Sequence, residues 1–465
     1  MSFEMLQTMF GPEVIVDPDR WQEFETGWRC PAGSALCVVA PRNVAELRSV
    51  VRKCVADRLT IIPQGALTGL VGAGVPDNVG AMVVVSTKRL KAVRHFSPDD
   101  GIIIVESGVC LSEVNVLGLP KGLMLGIDLG ADPSIGGMVS TNTGGSRLLR
   151  YGGMRQHLLG TEVVLADANA TLLTHLPKVR KDNSRIGWSQ LVAGAGGAFG
   201  FVSAASIALD PVPLQQATAL IALESLETLP ALVGKLRQEC GELLTACEGM
   251  SANAVGAVIR HRDDIRQPFA SGVPNYTLLI ELSTSIGSDF LDLDALLLSK
   301  LASLFEDSKW AIADIIAIHP EKAWALRHAV SGALARDGEV IGLDISLPLE
   351  ALPKFRERWE ARLATEAPWT TLCDFGHFGD GGLHFNLVCR HPGMSPHQIL
   401  RIQHIRTLIS REVSEMGGSF SAEHGLGPAN AEIYSALTPV SEQQLVRAMR
   451  SLIDPNQLLS RALPR

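Results

Sequence analysis

The sequence predicts an α+β protein with two domains. Between residues 34 and 211, short apolar runs alternate with glycine-rich loops, the pattern of buried strands joined by tight connections. The run Asp-Pro-Val-Pro at 210–213 interrupts this pattern. Beyond it, long helical patterns alternate with apolar strands, which favours an antiparallel sheet with long helices on one face. A chain of 465 residues can bury two cores.

The first domain is predicted to begin after an N-terminal segment at 1–33 and to occupy 34–211. Near its start, Asn43 is expected to cap a helix, with Glu46 as its capping-box partner. Its other predicted strands lie within 34–42, 60–65, 81–87 and 101–108, and a helix is predicted at 111–119. Residues 161–173 are predicted to form a strand, a turn and a second strand. The segment 191–209 is predicted to begin as a glycine-rich loop and to end as a strand.

The second domain is predicted to occupy 212–400, and a C-terminal segment follows at 401–465. The elements predicted from here onward are helices within 224–240, 294–307, 395–417 and 441–454, and strands within 277–284, 311–318 and 340–349. The sequence contains no internal repeat that would suggest another architecture.

Composition limits the function classes. The net charge of −8 argues against a non-specific nucleic-acid binder. No apolar run reaches the roughly 18 residues that a membrane helix needs, and the first residues lack the basic region of a signal peptide. Eight cysteines without a CxxC pair predict reduced, buried thiols. We therefore expect a cytoplasmic protein, and peripheral attachment to the inner membrane is the alternative location. A homodimer is one option for its oligomeric state.

Glycine is concentrated in three stretches of the first domain, at 65–74, 136–145 and 194–200. The GxGxxG pattern of a Rossmann dinucleotide site does not fit, because Pro76 closely follows the glycines of the first stretch and the third stretch leads into a strand instead of a helix. Glycines dispersed over several loops instead suggest a large ligand, with backbone N–H groups facing a pyrophosphate. The alternative is a set of ordinary tight turns.

A second group of polar residues lies in two glycine-rich stretches near the C-terminus. His377 and His384 flank a Gly-Asp-Gly-Gly turn, and Glu423 precedes His424. Two imidazoles and a carboxylate are a common ligand set for a divalent transition metal with an open position. His424 then remains as a candidate proton acceptor. The alternative is a glycine-rich hairpin with incidental histidines.

Five motifs together resemble a known family: PQGALTGLVGAGVP, SIGGMVSTNTGGSRLLRYGGMRQHLLGTEVVLAD, RKDNS, GHFGDGGLHFN and GGSFSAEHGLG. They are similar to the FAD-dependent D-2-hydroxyacid dehydrogenases of the vanillyl-alcohol oxidase / p-cresol methylhydroxylase superfamily, and most similar to D-2-hydroxyglutarate dehydrogenases. The resemblance implies a two-subdomain FAD-binding domain at 34–211 and an α+β substrate (cap) domain at 212–400. The helices of 401–465 would return to the FAD domain.

The resemblance also implies the FAD contacts. Two loops match the family's flavin-binding loops, and their matching residues are Pro63, Gln64, Gly65, Thr68, Gly69 and Leu70 in the first, and Gly136, Gly137, Thr141, Asn142, Gly144 and Gly145 in the second. Some members of the superfamily attach the flavin to a histidine in the first loop. Leu67 occupies that region here, so non-covalent FAD is expected.

In the family, the counterparts of His377, His384 and Glu423 bind a divalent metal, commonly zinc or manganese. The counterpart of His424 is the base that removes the hydroxyl proton while the C2 hydride passes to flavin N5. The substrate contacts implied by the resemblance are Asn386, Arg327 and Ser331. Taken alone, Arg327 would be better explained as a surface residue of a helix, and only the family motif favours a role in substrate binding. An electron-transfer flavoprotein or a quinone is the implied electron acceptor.

Three positions depart from the family pattern. Gly342 stands where relatives usually have a lysine that contacts the distal carboxylate, Gly196 replaces an acid, and Ser460 replaces an asparagine near the flavin. The expected substrate is D-2-hydroxyglutarate, and the loss of the lysine keeps D-lactate or another short D-2-hydroxyacid such as glycolate as the alternative. A non-catalytic flavoprotein subunit of a larger complex is the alternative from another class. A metallohydrolase would leave the glycine-rich first half unexplained.

Overall fold

A computed structural model describes residues 2–28, 30–390 and 393–463. The chain forms two compact units. The first contains the chain up to Gly145, Gly152–Val212 and the chain from Glu423 onward, and the second contains Ser146–Tyr151 and Pro213–Ala422. The first unit thus resumes at Glu423, and the long helix that precedes this residue belongs to the second unit.

The helices among the described residues are α1 (Phe3–Phe10), α2 (Gln22–Glu25), α3 (Val44–Ala56), α4 (Leu111–Gly118), α5 (Ile135–Thr141), α6 (Leu148–Tyr151), α7 (Met154–His157), α8 (Trp188–Val192), α9 (Leu229–Cys240), α10 (Ala252–His261), α11 (Leu293–Phe305), α12 (Pro320–Asp337), α13 (Leu352–Glu366), α14 (Pro396–Glu415), α15 (Ala431–Leu437) and α16 (Val440–Ile453). None of these is long and apolar enough to cross a membrane.

The strands are β1 (Cys37–Val39), β2 (Thr60–Gln64), β3 (Met82–Ser86), β4 (Val93–Ser97), β5 (Ile102–Glu106), β6 (Leu123–Met124), β7 (Leu158–Val164), β8 (Leu172–His175), β9 (Phe201–Ala208), β10 (Asp210–Pro211), β11 (Gln215–Leu223), β12 (Leu244–Ser251), β13 (Tyr276–Thr284), β14 (Ile312–Ala317), β15 (Glu339–Ser346), β16 (Thr370–Leu372), β17 (Phe375–Gly376) and β18 (Gly382–Cys389).

Two main sheets organise the first unit. The parallel sheet β1-β3-β2 packs against α1 and α3, and the antiparallel sheet β4-β5-β9-β7-β8 packs against α5. The predicted N-terminus of α3 is confirmed, because the Asn43 side chain accepts a hydrogen bond from the Glu46 amide at 3.0 Å. The Glu46 carboxylate returns to the Arg42 amide rather than to that of Asn43. The unit therefore contains two separate sheets, each with its own packed helices, which agrees with the predicted two-subdomain arrangement.

One antiparallel sheet organises the second unit, in the order β14-β11-β13-β12-β17-β18-β15, with β16 paired to β18. Its strands confirm the predicted antiparallel arrangement, but its helices cover both faces instead of one. The helices α9, α11, α13 and α14 contribute to one core cluster, whereas α10 and α12 pack on the opposite face. The reason lies in strands such as β13, whose Leu278, Leu279 and Ile280 are all buried, so neither face is polar.

Candidate active site

The three glycine stretches approach one another inside the first unit. The Gly196 amide donates to the Ser140 carbonyl oxygen at 2.7 Å, which ties the third stretch to α5 in the second. A Cβ atom at Gly65 would lie 2.3 Å from the Oγ atom of Ser134, the residue that caps α5. Side chains other than hydrogen would separate these backbones, so the glycines permit the close approach. The three stretches therefore form one cluster of backbone.

Buried polar atoms in this cluster have no protein partner among the described residues. Gln64 donates through Nε2 to the carbonyl oxygens of Phe24 and Gly74, both at 2.8 Å, while its Oε1 is buried without a partner. The Oγ of Ser107 is also buried and unpartnered, and it belongs to the residue on which Gly136 packs. Buried polar groups normally have partners, so these atoms fit a bound polar ligand such as FAD.

The remaining predicted flavin residues lie in the same two loops. Pro63 belongs to β2, and the loop after it contains Thr68, Gly69 and Leu70. A Cβ atom at Gly69 would meet no atom within 4 Å, so this position faces open space. The second loop consists of α5 and its C-terminal extension, with Gly137, Thr141, Asn142, Gly144 and Gly145. Asn142 ends α5 in the left-handed conformation, with φ of 50°.

The second unit contains the two predicted histidine ligands. His377 follows β17, and His384 lies in β18. The turn between them includes Gly381, whose φ of 86° and whose approach to the Leu347 carbonyl oxygen leave no room for a side chain. This turn places the two imidazole rings 5.4 Å apart, centroid to centroid. Side chains that a regular strand would direct to opposite faces are thereby brought together.

The register of β15 against β18 arranges further polar residues around His384. Asp344 lies opposite His384, and its Oδ1 is 3.5 Å from the imidazole Nδ1. Gly342 lies opposite Asn386. Residues two apart on a strand share a face, so His384 and Asn386 point to the same side as Asp344 and Gly342. Asn386 is buried, and its amide nitrogen donates to the His384 carbonyl oxygen at 3.2 Å.

Arg327 is a buried residue of α12, not a surface arginine. Its side chain is 9% exposed, and its Nε donates to Glu248 Oε2 at 2.7 Å. The guanidinium also stacks on the ring of Phe375, 4.7 Å from the centroid. The same ring lies 5.0 Å from that of His384, so Phe375 contacts both predicted site residues. Ser331 lies one turn further along α12, on the same side of the helix as Arg327.

Glu248 of β12 joins the arginine to the first histidine, and our sequence analysis did not identify it. Its Oε1 lies 2.7 Å from His377 Nδ1, and its side chain is 1% exposed. Burial alone would raise the pKa of Glu248, but the electrostatic interactions and hydrogen bonds with His377 and Arg327 hold that pKa below its ordinary value. The signal that could have revealed it is a single charged residue in the strand LTACEGMS, whose other side chains are apolar or small.

Glu423 and His424 stand where the chain leaves the second unit and re-enters the first. Ala422, the last residue of the second unit, donates its amide to the Asp344 carbonyl oxygen at 3.2 Å. On the first-unit side, the Gly425 carbonyl oxygen accepts a hydrogen bond from Asn430 at 2.8 Å. The residues on either side of this pair are therefore hydrogen-bonded within their own units.

Comparison with known families assigns both halves of the chain. Residues 35–173 match the FAD binding domain, and residues 212–462 match the C-terminal domain of FAD linked oxidases. A cofactor-binding domain followed by this C-terminal domain defines an FAD-dependent dehydrogenase. The chain belongs to the FAD-linked oxidases, and among them it groups with the FAD-dependent D-2-hydroxyacid dehydrogenases.

Two relatives support this assignment over nearly the whole chain. The mitochondrial D-2-hydroxyglutarate dehydrogenase of Arabidopsis thaliana is 32% identical, over 96% of this chain and 78% of its own. The corresponding protein of Bos taurus is also 32% identical, over 98% of this chain and 81% of its own. The fold is shared with alkyldihydroxyacetonephosphate synthase, at a TM-score of 0.69 and 15% identity, over 98% of this chain and 83% of that one.

These findings confirm the predicted family, the α+β fold and the FAD-dependent dehydrogenase class, and they favour that class over a metallohydrolase or a non-catalytic subunit. The prediction of a cytoplasmic location is wrong, because the curated relatives are named mitochondrial. That prediction depended on reduced cysteines and on net composition. Buried thiols require only a reducing compartment, so neither property identifies which compartment it is.

Proposed function

We propose that the protein oxidises D-2-hydroxyglutarate to 2-oxoglutarate, using non-covalent FAD and a divalent metal such as zinc or manganese. The observation that carries the proposal is the convergence of His377, His384, Asn386 and Arg327 within one sheet and one helix of the second unit. Imidazoles suit a divalent transition metal, and a guanidinium suits a carboxylate. A 2-hydroxyacid presents a hydroxyl and a carboxylate on adjacent carbons, which matches this pairing.

Each residue has a distinct role in the proposed reaction. His377, His384 and Glu423 would hold the metal, and the two flavin loops would hold FAD. When bound, the metal would make the C2 hydroxyl a stronger acid, and FAD would supply the acceptor for the C2 hydrogen and its electron pair. His424 takes the hydroxyl proton on an imidazole nitrogen as the C2–O bond becomes a carbonyl. The products are a 2-oxoacid and the reduced flavin.

The substrate is positioned by groups that are already ordered. Arg327 is fixed by Glu248 and by the Phe375 ring, so little side-chain entropy is lost when its guanidinium binds the substrate carboxylate. Asn386 and Ser331 would contact the substrate from β18 and α12. Fixing the hydroxyl and the carboxylate together determines which face of C2 meets the flavin, so the single C2 hydrogen would be directed to the flavin in the D isomer only.

Gly342 favours a second candidate substrate. It lies opposite Asn386, where the family resemblance leads us to expect a lysine for the distal carboxylate. Without that cation, D-lactate or another short D-2-hydroxyacid would lose less binding energy than a dicarboxylate. The electron acceptor remains a prediction from the family, namely an electron-transfer flavoprotein or a quinone.

The proposal is tested by mixing the purified flavoprotein anaerobically with D-2-hydroxyglutarate, its L isomer and D-lactate in turn. We expect D-2-hydroxyglutarate to bleach the flavin absorption rapidly and the L isomer to leave it unchanged. Bleaching by D-lactate alone would assign the protein to the short-chain substrates. A flavin that none of the three reduces, with zinc or manganese supplied, would contradict both candidate functions.

A further inference from the structure

Glu248 contacts two groups that the proposed reaction uses for different purposes. One carboxylate oxygen lies 2.7 Å from His377 Nδ1, and the other accepts from Arg327 Nε at 2.7 Å. The glutamate is buried, and one of its two partners is a guanidinium, which stays protonated in proteins, so the pair consists of a carboxylate and a cation. An ionised carboxylate can only accept hydrogen bonds, so Nδ1 of His377 must carry a proton.

We propose that Glu248 is a positioning residue, which selects the metal-binding tautomer of His377 and fixes the guanidinium of Arg327. A neutral imidazole that is protonated on Nδ1 carries its lone pair on Nε2, the nitrogen on the other side of the ring. Carboxylates that orient ligand histidines in this way strengthen metal binding. The inference rests on the proposed metal site, and it adds that one buried charge couples metal binding to carboxylate binding.

The substitution Glu248→Gln would keep the hydrogen bond to Arg327 and reverse the one to His377. The amide has one acceptor oxygen and one donor nitrogen, but both partners of Glu248 donate hydrogen bonds. Arginine has no acceptor atom, whereas a neutral imidazole can move its proton to the other nitrogen. The amide oxygen therefore turns to Arg327, and its nitrogen donates to Nδ1 of His377. The histidine is then protonated on Nε2, and that nitrogen can no longer bind a metal.

A matched control exists on the neighbouring strand. Glu281 of β13 is also fully buried and also pairs with an arginine, accepting from Arg147 Nε at 2.9 Å and from Trp324 Nε1 at 2.6 Å. Because Ala246 lies opposite Glu281 and Leu279 lies opposite Glu248, the two glutamates share a face of the sheet. These hydrogen bonds of Glu281 involve neither His377 nor His384. Glu281→Gln therefore removes a buried carboxylate that is paired with an arginine, as Glu248→Gln does, but it should leave the tautomer of His377 unchanged.

The first measurement is ¹⁵N NMR of the metal-free flavoprotein labelled at histidine, with His377 assigned from a His377→Gln variant. We expect the Nδ1–H tautomer in the wild type and in Glu281→Gln, and the Nε2–H tautomer in Glu248→Gln. This comparison needs no metal and no turnover, so it tests Glu248 even if the metal proposal fails. An unchanged tautomer in a folded Glu248→Gln protein would overturn the inference.

The second measurement is calorimetric titration of zinc and of manganese into the metal-free proteins. We expect Glu248→Gln to raise the dissociation constant about 10–100-fold, the usual cost of losing such a partner. Glu281→Gln should stay near the wild-type value, and Glu248→Asp, which keeps the charge, should recover part of the affinity. Wild-type protein that binds neither metal would refute the metal site itself. Equal affinities in the wild type and Glu248→Gln would refute only the role given to Glu248.

Discussion

At the scale of single residues, the register of β15 against β18 determines which position lies beside Asn386, the residue proposed to contact the substrate. Gly342 lies directly opposite Asn386, and it is exposed. Directly opposed residues of an antiparallel pair have Cβ atoms about 4.5–5.5 Å apart. A long side chain at position 342 can therefore reach the region beside Asn386. The absence of one at this position is the strongest residue-level argument for a small substrate.

Replacing Gly342 with lysine tests that argument. A charge-assisted hydrogen bond contributes about 1.5–3 kcal/mol, so Gly342→Lys should lower the KM for D-2-hydroxyglutarate about ten-fold or more. The KM for D-lactate, which has no distal carboxylate, should stay nearly constant. Glu339→Lys is the control, because it adds charge on the other side of the same strand. Steady-state kinetics with both substrates and both variants would contradict the account if the two KM values moved together.

At the scale of elements, two departures from the family pattern contact each other in the first unit. The Ser460 hydroxyl donates to the Gly196 carbonyl oxygen at 2.6 Å. Gly196 has a φ of 59°, and a Cβ atom there would lie 2.2 Å from that of Ala462. A glutamate at position 196 could not fit beside this C-terminal segment. The two changes are thus one local rearrangement, although they lie 264 positions apart in the sequence.

The substitution Gly196→Ala should destabilise this contact. A non-glycine residue in the left-handed conformation and an overlap with Ala462 each add strain, for a total of about 1–3 kcal/mol. The measurement is the midpoint of denaturant unfolding, followed together with flavin retention. Gly234→Ala serves as the control, because that glycine lies in α9 with open space around its Cβ position. There alanine should be neutral or slightly stabilising. Equal midpoints for the two variants would refute the packing argument.

A buried histidine provides a pH-dependent contact between α7 and β10 of the first unit. His157 lies 2.9 Å from the Gly153 carbonyl oxygen through Nδ1 and 2.7 Å from Asp210 through Nε2. Both partners accept hydrogen bonds, so both nitrogens carry protons and the ring is cationic. Burial alone would lower the pKa of His157, but the Asp210 carboxylate and the carbonyl oxygen raise it above its ordinary value.

The sign of this shift predicts how stability depends on pH. A raised pKa in the folded state stabilises the protein fully below the unfolded value of about 6.5, and this contribution is lost as the pH rises through the folded value. The difference in Tm between wild type and His157→Gln should therefore be largest at low pH and shrink in alkaline buffer. Asp210→Asn should weaken the same dependence. A difference that grows with pH would show that the ring is neutral.

At the scale of the whole molecule, the sequence was sufficient where the signal was local. The Asn43 cap, the antiparallel strands and the turn between His377 and His384 all follow from short patterns. The helices on the second face of the sheet were not predicted. A strand that is buried on both faces appears in the sequence as a short apolar run, and so does a segment of a buried helix, so the pattern does not show how many faces are covered. Glu248 was missed for a related reason. Its partners lie 79 and 129 positions away in the chain, and no local pattern reports such a pairing.

The central claim is that a metal held by His377, His384 and Glu423 is needed for the oxidation, alongside FAD. The most direct test is the anaerobic rate of flavin reduction by D-2-hydroxyglutarate, measured before chelation, after chelation with FAD retained, and after zinc or manganese is returned. Losing several kcal/mol of charge stabilisation corresponds to a rate about 100-fold lower or more, which the returned metal should restore. An undiminished rate in protein verified to be metal-free would contradict the account.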